Sequence, residues 1–113
     1  MITFIETKLF SKLVENYLSD DSYRRLQVAL ASDPESGPFI PGSGGLRKIR
    51  WGVAGRGKRG GLRIIYYVRG TQNEIWLLTL YPKNVAENIP PHVLRQIKQE
   101  IDDEKDNRSK HRG

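Results

Sequence analysis

Three stretches in the middle of the chain, Leu46 to Val53, Gly61 to Arg69 and Glu74 to Tyr81, are rich in aliphatic, β-branched and aromatic residues. Glycine-rich or short polar breaks separate them. Residues of that kind, at strand length and bounded by turn residues, predict three successive strands joined by hairpin-like turns. Thr71-Gln72-Asn73 has the length of a tight turn, and Pro82 ends the third strand because proline cannot donate to a ladder. A three-stranded meander is stable only when something apolar covers it, so the flanking segments must supply that cover.

Those segments carry helical spacing. Phe10, Leu13, Val14, Tyr17 and Leu18 fall at i, i+3, i+4, i+7 and i+8, one apolar stripe of a helix. Ser19-Asp20-Asp21-Ser22 breaks that stripe and offers N-caps to a second helix with Tyr23, Leu26 and Leu30 on its face. Asp33-Pro34 ends it, since a residue before proline avoids the helical region. Pro90-Pro91 opens a last helix whose stripe is Val93, Leu94, Ile97 and Ile101. Ile2 to Glu6 reads as a short first strand. The expected fold class is α+β: a small antiparallel sheet, mixed at its edge, with helices packed on one face and the other face free to meet a ligand. With 113 residues there is room for one domain, expected over 1–101. Residues 102–113 are almost all charged or polar and are expected to form a fraying tail.

Charge sharpens the expectation for the free face. The chain has a net charge of +6, and between Ser36 and Asn73 it holds no Asp or Glu. The same window contains Arg47, Lys48, Arg50, Arg56, Lys58, Arg59, Arg63 and Arg69, while the remainder is net −2. A positive excess confined to one segment suits a polyanion-binding face better than general solubility. There is no cysteine, which excludes disulfides and thiol nucleophiles and fits a reducing cytosol. No stretch approaches the ~18 apolar residues of a membrane span, and Met1 to Phe10 lacks the pattern of a secretory signal. The expected location is cytoplasmic, with no membrane partner.

Strand alternation assigns side chains to faces. Leu46, Lys48 and Arg50 share one side of the first central strand; Arg47, Ile49, Trp51 and Val53 share the other. Arg63, Ile65 and Tyr67 lie opposite Leu62, Ile64, Tyr66 and Val68, and Trp76, Leu78 and Leu80 lie opposite Ile75, Leu77, Thr79 and Tyr81. Lys48, Arg50 and Arg63 can then meet on the exposed side, with Lys83 at its rim. A single surface cation is ordinary, but several together with no carboxylate nearby are tolerated where an anion neutralises them.

The run Gly55-Arg-Gly-Lys-Arg-Gly-Gly61 lacks the spacing of a nucleotide phosphate loop and leads into a strand, not a helix. It reads equally as a plain flexible hairpin or as a basic finger carrying Arg56, Lys58 and Arg59 toward RNA phosphates. His92 and His111 read as solvated surface residues. No His, Asp or Glu grouping has metal-ligand spacing, so neither a metal nor another cofactor is expected. Trp51 and Trp76 read as core, whereas Tyr67 and Tyr81 are either half-buried packing or platforms for a base.

Gly44-Gly-Leu-Arg-Lys-Ile-Arg-Trp51, Gly57-Lys-Arg-Gly-Gly-Leu-Arg-Ile-Ile-Tyr-Tyr67 and Leu77-Leu-Thr-Leu-Tyr-Pro-Lys-Asn84, in that order, resemble the HigB-like branch of the RelE toxin superfamily. Asp33-Pro-Glu-Ser-Gly37 and Ile40-Pro-Gly42 fit the same pattern, and the resemblance runs from Phe4 to about Ile101. It implies the toxin of a type II toxin-antitoxin system, a ribosome-dependent endoribonuclease of mRNA that inhibits translation. It also implies a cognate antitoxin of helix-turn-helix type, with operator DNA reached only through the antitoxin complex. The family's basic strand positions fall on Lys48 and Arg50, its strand arginine on Arg63, and its basic residue after the last strand on Lys83. The C-terminal tyrosine that some relatives use for proton transfer has no counterpart, because no tyrosine follows Tyr81.

In such a site the RNA 2′-hydroxyl attacks its own phosphate. Arg63 and Lys83 are expected to hold that phosphate, because a guanidinium fork matches its oxygens. Lys48, beside Arg50 and facing Arg63, is the expected base, since a lysine among other cations is the best candidate where no histidine serves. Tyr81 or Tyr67 is left as acid or stacking group, and Arg47, Arg50, Arg56, Lys58, Arg59 and Tyr67 as RNA contacts. Two other functions are alternatives: a ribosome- or RNA-binding module without chemistry, which shares the basic face, and a gyrase-poisoning toxin of the ParE branch, which lacks the catalytic basic set, so that Lys48, Arg50, Arg63 and Lys83 argue against it.

Overall fold

The structure is a computed structural model that describes residues 1–52, 61–83 and 89–110; within the last helix, side chains are described at 92–103. Strand β1 (Thr3–Glu6) leads into helix α1 (Lys8–Tyr17), capped by Thr7, whose hydroxyl accepts the Phe10 N–H at 3.1 Å. Helix α2 (Asp20–Ser32) is capped by Ser19, with Asp20 and Asp21 in its first turn where the helix dipole favours negative charge. Three strands follow: β2 (Arg47–Trp51), β3 (Leu62–Arg69) and β4 (Glu74–Pro82). A single 3-10 turn, Gly70–Gln72, and Asn73 at φ 52° connect β3 to β4. Asparagine tolerates that left-handed conformation. Helix α3 (Pro91–Lys110) closes the chain and carries on past Ile101, its last apolar residue. Among the described residues no helix is long and apolar enough to cross a membrane.

The sheet has the order β1-β4-β3-β2. The β2–β3–β4 meander is antiparallel, and β1 joins it in parallel at the β4 edge, which makes the sheet mixed there. The fold class is therefore the expected α+β arrangement. The cover, however, extends to both faces. Phe10, Val14 and Leu18 of the α1 segment and Leu26 and Leu30 of α2 pack with Leu62, Ile64, Tyr66, Ile75, Leu77 and Leu80. Leu94, Ile97 and Ile101 of α3 pack with Leu46, Ile65, Trp76, Leu78 and Tyr81 on the opposite face. The signal for this lies in β4, whose residues are buried continuously from Ile75 to Pro82. A near-unbroken apolar run marks a strand covered on both sides. The second face is thus open only toward the β2 end.

One irregularity changes which residues share a face. Ile65 pairs with Thr79 but Tyr66 pairs with Leu77, so β4 carries an extra residue at that point. A bulge of this kind flips the alternation beyond it. Leu80 consequently faces α1 and α2, and Tyr81 joins Trp76 and Leu78 on the α3 face. Plain alternation placed both the other way. Thr7 holds β4 around the bulge: its N–H donates to the Leu77 carbonyl at 3.1 Å and its hydroxyl to the Leu78 carbonyl at 2.7 Å.

The loop before β2 is tied to the sheet. The buried Tyr66 hydroxyl donates to the Pro34 carbonyl at 2.8 Å and accepts the Gly37 N–H at 2.9 Å. Phe39 bridges to Arg47, with the Ile40 N–H donating to the Leu46 carbonyl at 2.8 Å and the Lys48 N–H to the Pro38 carbonyl at 3.1 Å. The loop thereby shields part of the outer edge of β2.

Candidate active site

The bulge brings Tyr81 into line with two arginines. Arg50 pairs with Arg63 across β2 and β3, and Arg63 pairs with Tyr81 across β3 and β4, so the three form a row perpendicular to the strands. Lys48 lies two residues along β2 from Arg50, on the same face. Next to this row is a cleft of about 190 Å³, walled by Ile40 and Pro41 of the loop, Lys48, Ile65, Tyr81, and Ile89 at the approach to α3. Lys83 is exposed just beyond β4, and its N–H donates to the Gly61 carbonyl at 3.3 Å. That contact puts it at the same end of the β3–β4 ladder as Arg63 and Tyr81.

Burial sets the electrostatics of the row. Arg63 is only 7% exposed, and its guanidinium makes no ion pair among the described residues. A buried cation is costly where no counter-charge offsets its desolvation, and none stands beside Arg63 among the described residues. Tyr81 is 8% exposed, and its hydroxyl has no hydrogen-bond partner among the described residues. Burial pushes the Tyr81 phenol above its ordinary value, opposed by the Arg63 guanidinium beside it. The phenol is therefore protonated at neutral pH and able to donate. A buried cation and a buried, unused hydroxyl side by side at an open cleft form a place that an oxyanion would satisfy.

The remaining residues distribute differently. Arg50 is exposed and Lys48 half-buried. Arg47 lies on the other side of β2: its guanidinium sits 3.8 Å over the Phe39 ring and donates to the Gly37 carbonyl at 2.8 Å and the Glu35 carbonyl at 3.2 Å. Tyr67 is half-buried, with the Lys98 ammonium of α3 4.6 Å from its ring centre. Arg56, Lys58, Arg59 and His111 lie outside the described residues. Trp76 is fully buried, and Trp51 packs against the α1–α2 core with its indole N–H donating to Ser22 at 3.3 Å. His92 is exposed at the start of α3. Sequence reasoning passed over Phe39, which is 62% exposed. Its one signal is its place between Pro38 and Pro41, in a loop that has no apolar periodicity of its own.

No family profile matches the chain. Among solved structures it is similar to the Escherichia coli toxin RelE, in a double arginine-to-alanine mutant in the free state. The TM-score is 0.54 at 16% sequence identity, over 76% of this chain and 87% of that one. The fold is RelE-like.

Proposed function

We propose that this chain is the toxin of a type II toxin-antitoxin pair and acts as a ribosome-dependent endoribonuclease on mRNA. The observation that carries this reading is the buried Arg63, with no ion pair among the described residues, in register with the unsatisfied hydroxyl of Tyr81. A scissile phosphate seated there would give both groups the partner the fold withholds. The RelE-like fold and the order of the sequence motifs supply the reaction class, and the motif pattern favours a HigB-like arrangement.

In the proposed reaction the 2′-oxygen bonds to the adjacent phosphorus and the bond to the 5′-oxygen breaks, leaving a 2′,3′-cyclic phosphate and a 5′-hydroxyl. Arg63 holds the phosphate oxygens through its paired donors, and Lys83 adds a second positive charge from the rim. Tyr81, kept protonated by burial, gives its proton to the departing 5′-oxygen. Lys48, at the cleft wall, accepts the 2′-hydroxyl proton. Arg50 and the loop cations Arg56, Lys58 and Arg59 guide the RNA backbone, and Tyr67 borders the same face. The shallow site accounts for dependence on the ribosome, which would hold the RNA in an attack geometry that the toxin alone does not impose. The antitoxin in this reading is a helix-turn-helix protein, and the complex works in the cytoplasm.

Mapping RNA 5′-ends after brief induced expression, with Arg63→Ala as control, tests the proposal. New ends within translated frames at a fixed codon register, absent in the control, are expected. Growth arrest without new ends would refute the nuclease and favour a binding module. DNA-damage signalling in its place would point to gyrase poisoning.

A further inference from the structure

An aromatic ring stands exposed at the edge of β2. Phe39 is 62% exposed. Its backbone is fixed by the bridge to Arg47 and by the two flanking hydrogen bonds to Leu46 and Pro38. One face of the ring carries the Arg47 guanidinium at 3.8 Å, and that guanidinium is itself anchored by the Glu35 and Gly37 carbonyls. The ring is therefore locked in place, backed by a cation, and open on its other face. The neighbouring residues on both strands, Ile40 and Lys48, wall the cleft beside Tyr81.

We infer that Phe39 is a stacking platform for a nucleobase of the RNA strand, lying one residue outside the cleft and around the edge of β2. Planar bases stack on fixed aromatic rings without regard to their identity. The guanidinium behind the ring adds positive potential toward an incoming polyanion, which a hydrophobic protein side chain would not use. Tyr67, the other aromatic near this region, is half-buried with Lys98 of α3 at its ring, whereas Phe39 is 62% exposed. This inference rests on the RNA-cleaving reading and adds a base subsite to it.

The test is titration of the full-length protein with a short 2′-O-methyl RNA carrying 2-aminopurine, beside the same strand with one abasic position scanned along it. The methylated sugars cannot attack, so binding is read without cleavage. Quenching of 2-aminopurine at one position is expected. Phe39→Ala should remove that quenching and weaken binding about five- to a hundredfold, and placing the abasic residue at that same position should weaken the wild-type protein to match. Phe39→Tyr, which keeps the ring, should restore both, and this separates stacking from a folding defect. RNA bound equally by wild type and Phe39→Ala would overturn the subsite while leaving the nuclease reading intact. No RNA binding by the wild type would also overturn the subsite, while the nuclease reading stands or falls on the mapped RNA 5′-ends. Binding of a protein partner lost on Phe39→Ala, with RNA binding unchanged, would reassign the ring to a protein interface.

Discussion

Tyr81 buries a hydroxyl without satisfying it, and Arg63 beside it buries a cation that has no ion pair among the described residues; residues of this kind weaken the fold they sit in. Function and stability should therefore separate under substitution. Arg63→Met keeps the aliphatic volume and removes the buried charge. Tyr81→Phe keeps the ring and removes the orphan hydroxyl. Each is expected to leave the melting temperature unchanged or raise it by a few degrees, in line with about 1 kcal/mol gained. Each is expected to lower cleavage on programmed ribosomes by roughly a hundredfold or more, the usual loss for one preorganised transition-state donor. A fall in melting temperature of several degrees in either variant, measured by calorimetry, would instead make these residues supports of the fold. The basic half of this site is legible in the residues alone, because Lys48, Arg50 and Arg63 stand in acid-free strands of clear alternation. Tyr81 is legible only as a residue type, since its placement depends on the bulge.

That bulge shows what element-level reading can and cannot reach. Strands β2 to β4, the stripes of α1 and α2 and the proline start of α3 announce themselves through local chemistry: caps, prolines and periodicity. Nothing in Leu78 or Thr79 announces an extra residue. The group that grips the strand there is Thr7, 71 positions away, and a contact so distant leaves no local pattern. The docking of α3 on the second face, by contrast, is marked in the sequence by the near-unbroken apolar run of β4. Two hydrogen-bonded ties between elements give predictions. A side chain at Gly37 would meet the Tyr66 ring at 2.9 Å and the Lys48 backbone carbonyl at 3.0 Å. Gly37→Ala should cost about 1–3 kcal/mol in denaturant unfolding and loosen the loop that walls the cleft. On the same face of the sheet, the Tyr23 hydroxyl of α2 donates to Glu6, at the end of β1, at 2.6 Å, and Ser11 of α1 donates to the second oxygen of that carboxylate at 2.6 Å. Burial first, then the Glu6 contact, raise the Tyr23 pKa. A phenol that holds its proton more tightly when folded contributes stability that is intact below its unfolded pKa of about 10 and is lost as the pH rises through the folded value. Stability should fall above about pH 10, and Tyr23→Phe should be less stable at pH 7 yet show a flatter alkaline decline. An equally steep decline in that variant would assign the titration to other groups.

At the scale of the molecule, charge is segregated. The positive excess lies between Ser36 and Asn73, and acidic Glu6, Glu100 and Asp103 line a groove between α1 and α3. The cations of the site cannot neutralise one another, so RNA binding should release counterions in proportion to the phosphates engaged. That proportion distinguishes two ways of using the basic segment. If Lys48, Arg50, Arg63 and Lys83 carry the contact alone, four phosphates at about 0.7 each predict a log–log salt slope of about −2.8 for a single strand. If Arg56, Lys58 and Arg59 also reach the backbone, the slope steepens to about −4.9. Between 50 and 200 mM salt these amount to losses of about fiftyfold and nearly a thousandfold in affinity. Replacing Arg56, Lys58 and Arg59 together by serine should return the steeper slope to the shallower one. A wild-type slope near the smaller value, unchanged by that replacement, would mean that the sheet row binds the RNA and the loop serves another surface, with the ribosome the natural polyanion for it. A slope close to zero would remove the electrostatic basis for RNA recognition and, with it, the reason for reading the buried Arg63 as a phosphate site.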